Sequence, residues 1–482
     1  MKIQFSRNIS LCLFFLLGFL AIGGCKKSST PVVSVIIPTV NTTSVILNLT
    51  ATTAQSGGII ISTGNGTITG NGVVYSSTNK TPTLSDSKTT DSVSHAGTGY
   101  TTFTSSITGL SPGTTYYIRA YAVNSAGVGY GGITSFTTSA TLGSVIATVT
   151  TYAGGTAQGF MDGSAAGALF NNPEGVTVDK QGNLFVSDSF NDLIREVSNT
   201  GTVSTIAGNQ TLGYQDGPAA SAEFYAPNGQ AFDSKGNLYV ADFGNNIIRK
   251  ITPAGVVSTF AGTGIAGYRN GAATSANLTS SADSLSMFNN PQGVCVDASD
   301  NVYVADRGNN VIREILTTGR TKTIAGNKVK GFIDATDEAA FFNNPTGVAV
   351  DSKGNVYVTD QGNSSLRMVS SAGVVTTLVG NPVQTTLLNY PSAITIDALG
   401  NLYIVDESGR IFEFTTAKVL YLLAGKLNTA GFTNGVGSVA LFNNPQGICI
   451  DANNNIYVAD QFNNCIRKIT ITTTTNGSQP PN

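Results

Sequence analysis

NPEGVTVDKQGNLFVSDSFNDLIREVS, residues 172–198, is the stretch that decides the fold. It holds three short runs of β-forming residues, separated first by the turn signal D-x-x-G-N and then by a polar turn after Asp188, so a three-stranded meander is written in its turn chemistry. The pattern returns as PNGQAFDSKGNLYVADFGNNIIRKIT (227–252), NPQGVCVDASDNVYVADRGNNVIREIL (290–316), NPTGVAVDSKGNVYVTDQGNSSLRMVS (344–370), YPSAITIDALGNLYIVDESGRIFEF (390–414) and NPQGICIDANNNIYVADQFNNCIRKIT (444–470). A fourth run follows the first five copies: VSTIAG (203–208), VSTFAG (257–262), TKTIAG (321–326), VTTLVG (375–380) and YLLAG (421–425). None clearly follows the sixth, whereas VTTYAG (149–154) precedes the first. This N-terminal strand is therefore expected to complete the last sheet and close a ring, which removes free strand edges.

The six copies resemble the NHL repeat family across roughly two thirds of the chain. That resemblance implies a six-bladed β-propeller over residues 145–472. Composition points the same way, since only 11% of residues are charged while Gly numbers 55, too little helix-forming material for an α-rich fold. The fold class expected is all-β: a small fibronectin type III-like β-sandwich followed by a six-bladed NHL-type β-propeller closed by its N-terminal strand. Lys+Arg 26 against Asp+Glu 28 leaves a net charge of -2 with no basic cluster, so nucleic acid is not an expected partner.

Outward from the repeats, Lys2 and Arg7 precede the apolar run Leu11–Ile22, a secretory pattern too short for a comfortable membrane span. The run ends Ile22-Gly23-Gly24-Cys25, which resembles a bacterial lipobox. Residues 1–24 read as a lipoprotein signal and 25–33 as a lipidated tether; the plainer alternative is ordinary signal cleavage beside an incidental cysteine. Membrane attachment through the Cys25 lipid, with Lys26 favouring the outer membrane, is the expected localisation. Cys12 leaves with the signal, so Cys295, Cys449 and Cys465 remain. All three fall at small or apolar repeat positions, and a Cys449–Cys465 bridge stays open.

Residues 34–139 alternate with period two between Gly-punctuated turns. Here GLSPGTTYYIRAYAVNSAG (109–127) resembles the E–F corner and F strand of a fibronectin type III domain, with Tyr116 as the corner tyrosine. The chain has no tryptophan, and Tyr75 could stand where that family buries one. His95, the sole histidine, falls in a loop-rich stretch, and residues 473–482 read as a disordered tail.

In a four-stranded antiparallel meander the turns between second and third strands share one face with the loops that link successive sheets. On that face the linking loops place Phe160, Asp162, Tyr214, Asp216, Tyr268, Arg269, Phe332, Asp334, Phe432 and Asn434, an aromatic and polar rim suited to stacking on sugars or docking a peptide. Ordinary loop anchoring is the competing and heavier reading. The turns repeat Asp188, Asn191 and Arg195; Asp242, Asn245 and Arg249; Asp306, Asn309 and Arg313; Asp360, Asn363 and Arg367; Asp406; and Asp460, Asn463 and Arg467. A group present in every repeat serves every repeat, so these are expected to be structural hydrogen-bonding and ion-pair positions rather than catalytic ones.

Symmetry breaks at an insertion near 274–287, where 64 residues separate Asp242 from Asp306 against 54 from Asp188 to Asp242, and at the short loop 381–391, where only 46 separate Asp360 from Asp406. An asymmetric groove is expected between them. NHL-type amidating lyases resemble this propeller, but hold zinc through histidines that it lacks. Calcium-dependent propeller lactonases of gluconolactonase type use oxygen ligands, and Glu174 is the unusual carboxylate near the channel. Without a propeller histidine no Ser-His-Asp site can form. The leading expectation is a binding or scaffold protein for a glycan, peptide or protein, with no catalytic residue, metal or cofactor assigned; the lactonase with calcium is the alternative.

Overall fold

The computed structural model describes residues 34–92, 101–140, 144–272, 285–380 and 387–474. Cys25, His95 and most of the 274–287 insertion lie outside them. Among the described residues the repeats form six antiparallel sheets, each a meander ordered from the axis outward. Their innermost strands are Pro173–Val178, Pro227–Phe232, Pro291–Val296, Pro345–Val350, Pro391–Ile396 and Pro445–Ile450. Each packs against the next, and the first packs against the sixth, so the sheets form a propeller-like ring around a channel.

Local chemistry explains the strands. In the turn after the first inner strand, Asp179 Oδ1 accepts from the backbone N–H of Gln181 and Asn183, both at 2.8 Å, and the side chain of Asn183 closes back on Oδ2. The third residue of most inner strands is glycine because the ring is tight at its axis: a Cβ on Gly293 would lie 2.3 Å from the carbonyl oxygen of Thr346. The cores lie between adjacent sheets, as where Val176 and Val186 of the first meet Cys449, Tyr457 and Ile466 of the sixth. Each fully buried aliphatic side chain there contributes about 1.5–3 kcal/mol.

The ring closes through β10 (Ser144–Gly154), which pairs antiparallel with Cys465–Thr474 from Ser144↔Thr474 to Gly154↔Cys465. Sequence placed the ring at 145–472 and a disordered tail from 473. Residue 144 and residues 473–474 instead belong to this ladder, because each strand satisfies the other's backbone groups.

The N-terminal unit is two packed sheets. One holds β1 (Thr39–Thr42), β2 (Ile46–Leu47), β3 (Ala54–Ser62) and β6 (Thr101–Ile107). The other holds β4 (Gly70–Ser76), β5 (Ser87–Lys88), β7 (Thr115–Asn124), β8 (Gly127–Tyr130) and β9 (Thr134–Thr137). The Tyr116 hydroxyl accepts from the N–H of Ser111 at 3.0 Å, and its ring lies 5.9 Å from that of Phe136 and 6.3 Å from that of Tyr75.

The two units share a sheet. In the first, second, third and sixth repeat sheets the incoming loop adds a two-residue outer strand: Gly163–Ser164, Gly217–Pro218, Gly271–Ala272 and Gly435–Val436. No such strand comes from the short loop before the fifth among the described residues. There β2 pairs in parallel with the outer strand Val419–Gly425, the N–H groups of Ile46 and Asn48 donating to the carbonyls of Lys418 and Leu420 at 3.3 and 3.2 Å. Val419 enters the sandwich core and Leu47 packs on that of the fifth sheet. The gap that the short loop leaves in the sequence is covered at its outer edge, because an unpaired strand edge is satisfied by the nearest available strand.

Candidate functional site

The recurring aspartates and arginines form buried clamps. Arg195 Nη1 donates to Asp188 Oδ2 at 2.7 Å and to the Leu169 carbonyl at 3.1 Å, while Nη2 donates to the Met161 carbonyl at 3.0 Å and to Asp162 at 2.5 Å. The rings of Phe160 and Phe170 lie 4.9 and 5.2 Å from its guanidinium carbon. Equivalent ion pairs join Arg249 to Asp242 (3.0 Å), Arg313 to Asp306 (2.7 Å), Arg367 to Asp360 (2.8 Å) and Arg467 to Asp460 (2.8 Å). Asn191, Asn245, Asn309, Asn363 and Asn463 each donate to the aspartate of their own repeat. Burial pushes the carboxyls of Asp188, Asp242 and Asp360 up to about 6, against the opposing pull of these hydrogen bonds and guanidinium groups. The fifth repeat departs from the pattern: its turn is shorter, Asp406 pairs with Arg410 at 2.5 Å, and Phe412 occupies the clamp position.

The expected rim is drawn into the same clamps. Asp162, Asp216, Asp334 and Asn434 accept from Arg195, Arg249, Arg367 and Arg467, and Arg269 offers its carbonyl to Arg313 at 2.7 Å. Tyr268, Phe332 and Phe432 cover the guanidinium groups of Arg313, Arg367 and Arg467 as Phe160 covers that of Arg195, whereas Tyr214 is half exposed beside Gly264. Each rim residue sits in its own repeat against its own sheet, so the structure does not gather the ten into one site.

Symmetry fails instead at the axis. The second residue of each inner strand lines the channel in the order Glu174, Asn228, Gln292, Thr346, Ser392, Gln446. The residue following each recurring aspartate is Ser189, Phe243, Arg307, Gln361, Glu407 and Gln461. A belt of hydrogen bonds links these two sets. Glu174 accepts from Asn228 and from Gln461 (2.7 Å); Glu407 Oε1 accepts from Gln446 (3.0 Å) and Gln361 (2.7 Å); and Arg307 donates to the side-chain oxygen of Gln361 at 3.3 Å. All six repeats contribute.

Glu174 is enclosed by protein although solvent reaches it through the channel. Burial pushes its carboxyl up to about 7 and the nearby charge of Glu407 adds to the rise, while Arg307 and Gln461 oppose it. Burial likewise holds Glu407 above the usual carboxylate range. Two polar atoms around the channel are buried without a partner, the side-chain oxygen of Gln292 and Arg307 Nε, while Gln230 turns between the first and second sheets and donates to the Phe185 carbonyl. Such atoms cost free energy unless a ligand or water completes them. The channel cavity, about 60 Å³, admits a few waters or one small polar group.

Arg307 and Glu407 were not singled out from sequence, although their turns ADRGNN and VDESGR are plain in it. The readable signal is the position after the recurring aspartate, which runs Ser, Phe, Arg, Gln, Glu, Gln behind an invariant aspartate.

A ring of repeat sheets around a polar channel defines a β-propeller, and three of its repeats match the NHL repeat model, at residues 288–313, 342–367 and 442–469. Among curated proteins the chain is 27% identical over 329 residues to Protein SUPPRESSOR OF QUENCHING 1, chloroplastic, of Arabidopsis thaliana, covering 65% of this chain and 26% of that protein. It is 34% identical over 160 residues to human NHL repeat-containing protein 2, covering 30% of this chain and 21% of that protein. The chain thus spans about a quarter or less of these relatives' lengths. Among solved structures, a gluconolactonase from Xanthomonas campestris aligns with a TM-score of 0.44 at 14% identity, covering 63% of this chain and 87% of that one.

Proposed function

We propose that this chain is an exported, lipid-anchored binding protein that holds a glycan at the channel mouth of a six-bladed NHL propeller. In this reading residues 1–24 are removed, Cys25 carries the lipid at the outer membrane, and residues 34–139 form a fibronectin type III-like stalk. The observation that carries the binding role is the axial break in symmetry. Glu174, Glu407 and Arg307 stand over an amide-lined channel that holds unpartnered polar atoms, in a ring whose other charged clusters repeat. Carboxylates, amides and a guanidinium can accept from and donate to sugar hydroxyls at once.

The calcium lactonase reading fits these donors less well. No group of three or more His, Cys, Asp or Glu side chains that could hold a metal occurs among the described residues. The two channel carboxylates are separated by the amides of the sixth repeat and feel the positive charge of Arg307. A divalent cation prefers clustered oxygens free of such a charge.

The test is thermal melting of the full chain with a panel of soluble polysaccharides, with calcium and with EDTA. A glycan-dependent rise in melting temperature without calcium dependence is expected. A calcium-dependent rise abolished by EDTA would replace this reading with the lactonase, and the absence of any shift would remove the glycan.

A further inference from the structure

Four aromatic side chains stand half exposed beside the channel mouth: Tyr390 (53%), Phe462 (53%), Phe190 (58%) and Tyr225 (46%). They belong in that order to the fifth, sixth, first and second repeats, which are successive around the ring. Each adjoins one of the turn or inner-strand residues described above. Phe462 follows Gln461, the donor to Glu174; Phe190 follows Ser189, whose hydroxyl donates to the Pro227 carbonyl; and the Tyr390 carbonyl accepts from the N–H of Glu407 at 3.1 Å. Tyr225 immediately precedes the Ala226-Pro227-Asn228 segment, and Asn228 bonds Glu174.

The fold does not require an aromatic at the place of Phe190. In the second, third and fourth repeats the place of Phe190 is held by Gly244, Gly308 and Gly362. There a Cβ would lie 2.4–2.6 Å from the Tyr225 ring or the side chains of Asn289 and Asn343. The third and fourth repeats carry Asn289 and Asn343 where the second carries Tyr225. Aromatics therefore flank one side of the mouth, and Arg307 lies on the other. A ring left half in water forgoes much of the burial that would justify it in a core.

Resting on the glycan reading above, we infer that the ligand is an oligosaccharide chain rather than a single sugar, lying across the fifth, sixth, first and second repeats. Its ring faces rest on Tyr390, Phe462, Phe190 and Tyr225, and its hydroxyls meet Glu407 and Glu174. The apolar C–H face of a pyranose matches an exposed aromatic ring, and its edge hydroxyls match carboxylates and amides. The channel cavity of about 60 Å³ is too small to enclose a sugar ring, so the ligand must sit over the mouth, where one residue of it cannot reach platforms on four sheets. A peptide fits this surface less well: the cavity offers no pocket for a large side chain.

The experiment is calorimetric titration of the full chain, and of its Phe190→Ala, Phe462→Ala and Glu407→Gln variants, with β-1,4-glucan, α-1,4-glucan, xylan and mannan oligosaccharides of increasing length from the monosaccharide upward. Affinity for one series is expected to climb with length and then level off. Each Phe→Ala change should weaken the longer members roughly three- to tenfold while leaving the monosaccharide unaffected, and Glu407→Gln should weaken long and short members alike. Melting temperatures of the Phe→Ala variants should match the parent, since both rings are half exposed. Equal affinity for monosaccharide and long chains, with Phe190→Ala and Phe462→Ala neutral, overturns the chain but leaves a sugar at the mouth. Absence of binding to every saccharide overturns both.

Discussion

Removing one half of a buried clamp should cost far more than removing both halves, and Asp360→Ala tests this most directly. Asp360 and Arg367 are both 0% exposed at the side chain and 2.8 Å apart. Asp360 also accepts from Asn363 Nδ2 and from the N–H of Asn343, each at 2.8 Å, so alanine strips the acceptor from three donors. Hydrogen bonds to a charged group contribute about 1.5–3 kcal/mol each, offset by the cost of burying the carboxylate. Orphaning a buried charge in this way costs about 3–5 kcal/mol net. Arg367 keeps Asp334, but that side chain is 44% exposed and compensates weakly. The fifth repeat already tolerates Phe412 at the arginine position, buried to 5% exposure, so an apolar side chain can fill the slot. Asp360→Ala should therefore lower the urea midpoint by about 1 M, and Asp360→Ala/Arg367→Met should recover much of that loss. A single variant within about 1 kcal/mol of the parent, or a double variant whose loss equals the sum of the two singles, refutes the reasoning.

Three further outcomes are expected. The Glu174 carboxyl lies at about 7, above its ordinary 4.5, so the folded state binds that proton more tightly and stability falls as pH rises between those values; Glu174→Gln should lose this slope, and parallel melting-temperature profiles for parent and variant would contradict it. Ile46 is 2% exposed where β2 joins the fifth sheet, so Ile46→Asp should uncouple sandwich from propeller and split the calorimetric transition, whereas an unchanged endotherm counts against the shared sheet. Cys449 and Cys465 are buried free thiols, so both should react with a thiol reagent only after denaturation without reductant, and a disulfide recovered between them would overturn that state.

Local pattern carried much of the fold. The D-x-x-G-N turns, the six meanders and the pairing of VTTYAG with the last repeat are legible because turn chemistry and strand alternation act over a few residues. The columns of Asp188, Asn191 and Arg195 are legible as columns, and their contacts are local as well: Arg195 lies seven residues from Asp188 and bonds it within one sheet. The rim is less legible. Phe160 and Asp162 keep much exposed surface, as loop residues do, yet Asp162 is also bonded to Arg195, 33 residues away in the chain.

What the tertiary structure alone decided is what lies at the axis and at the edge of the fifth sheet. Glu174, Arg307 and Glu407 are far apart in sequence and become neighbours of one channel only because the ring is closed, bringing equivalent positions of all six repeats to a common axis. Ile46 and Val419 are separated by most of the chain, and a two-residue parallel pair leaves no periodicity to read. Repeat sequence thus specifies each sheet through short-range turns and alternation, while closure and the docking of β2 specify the site and the join, because both depend on which surfaces meet after the sheets have formed.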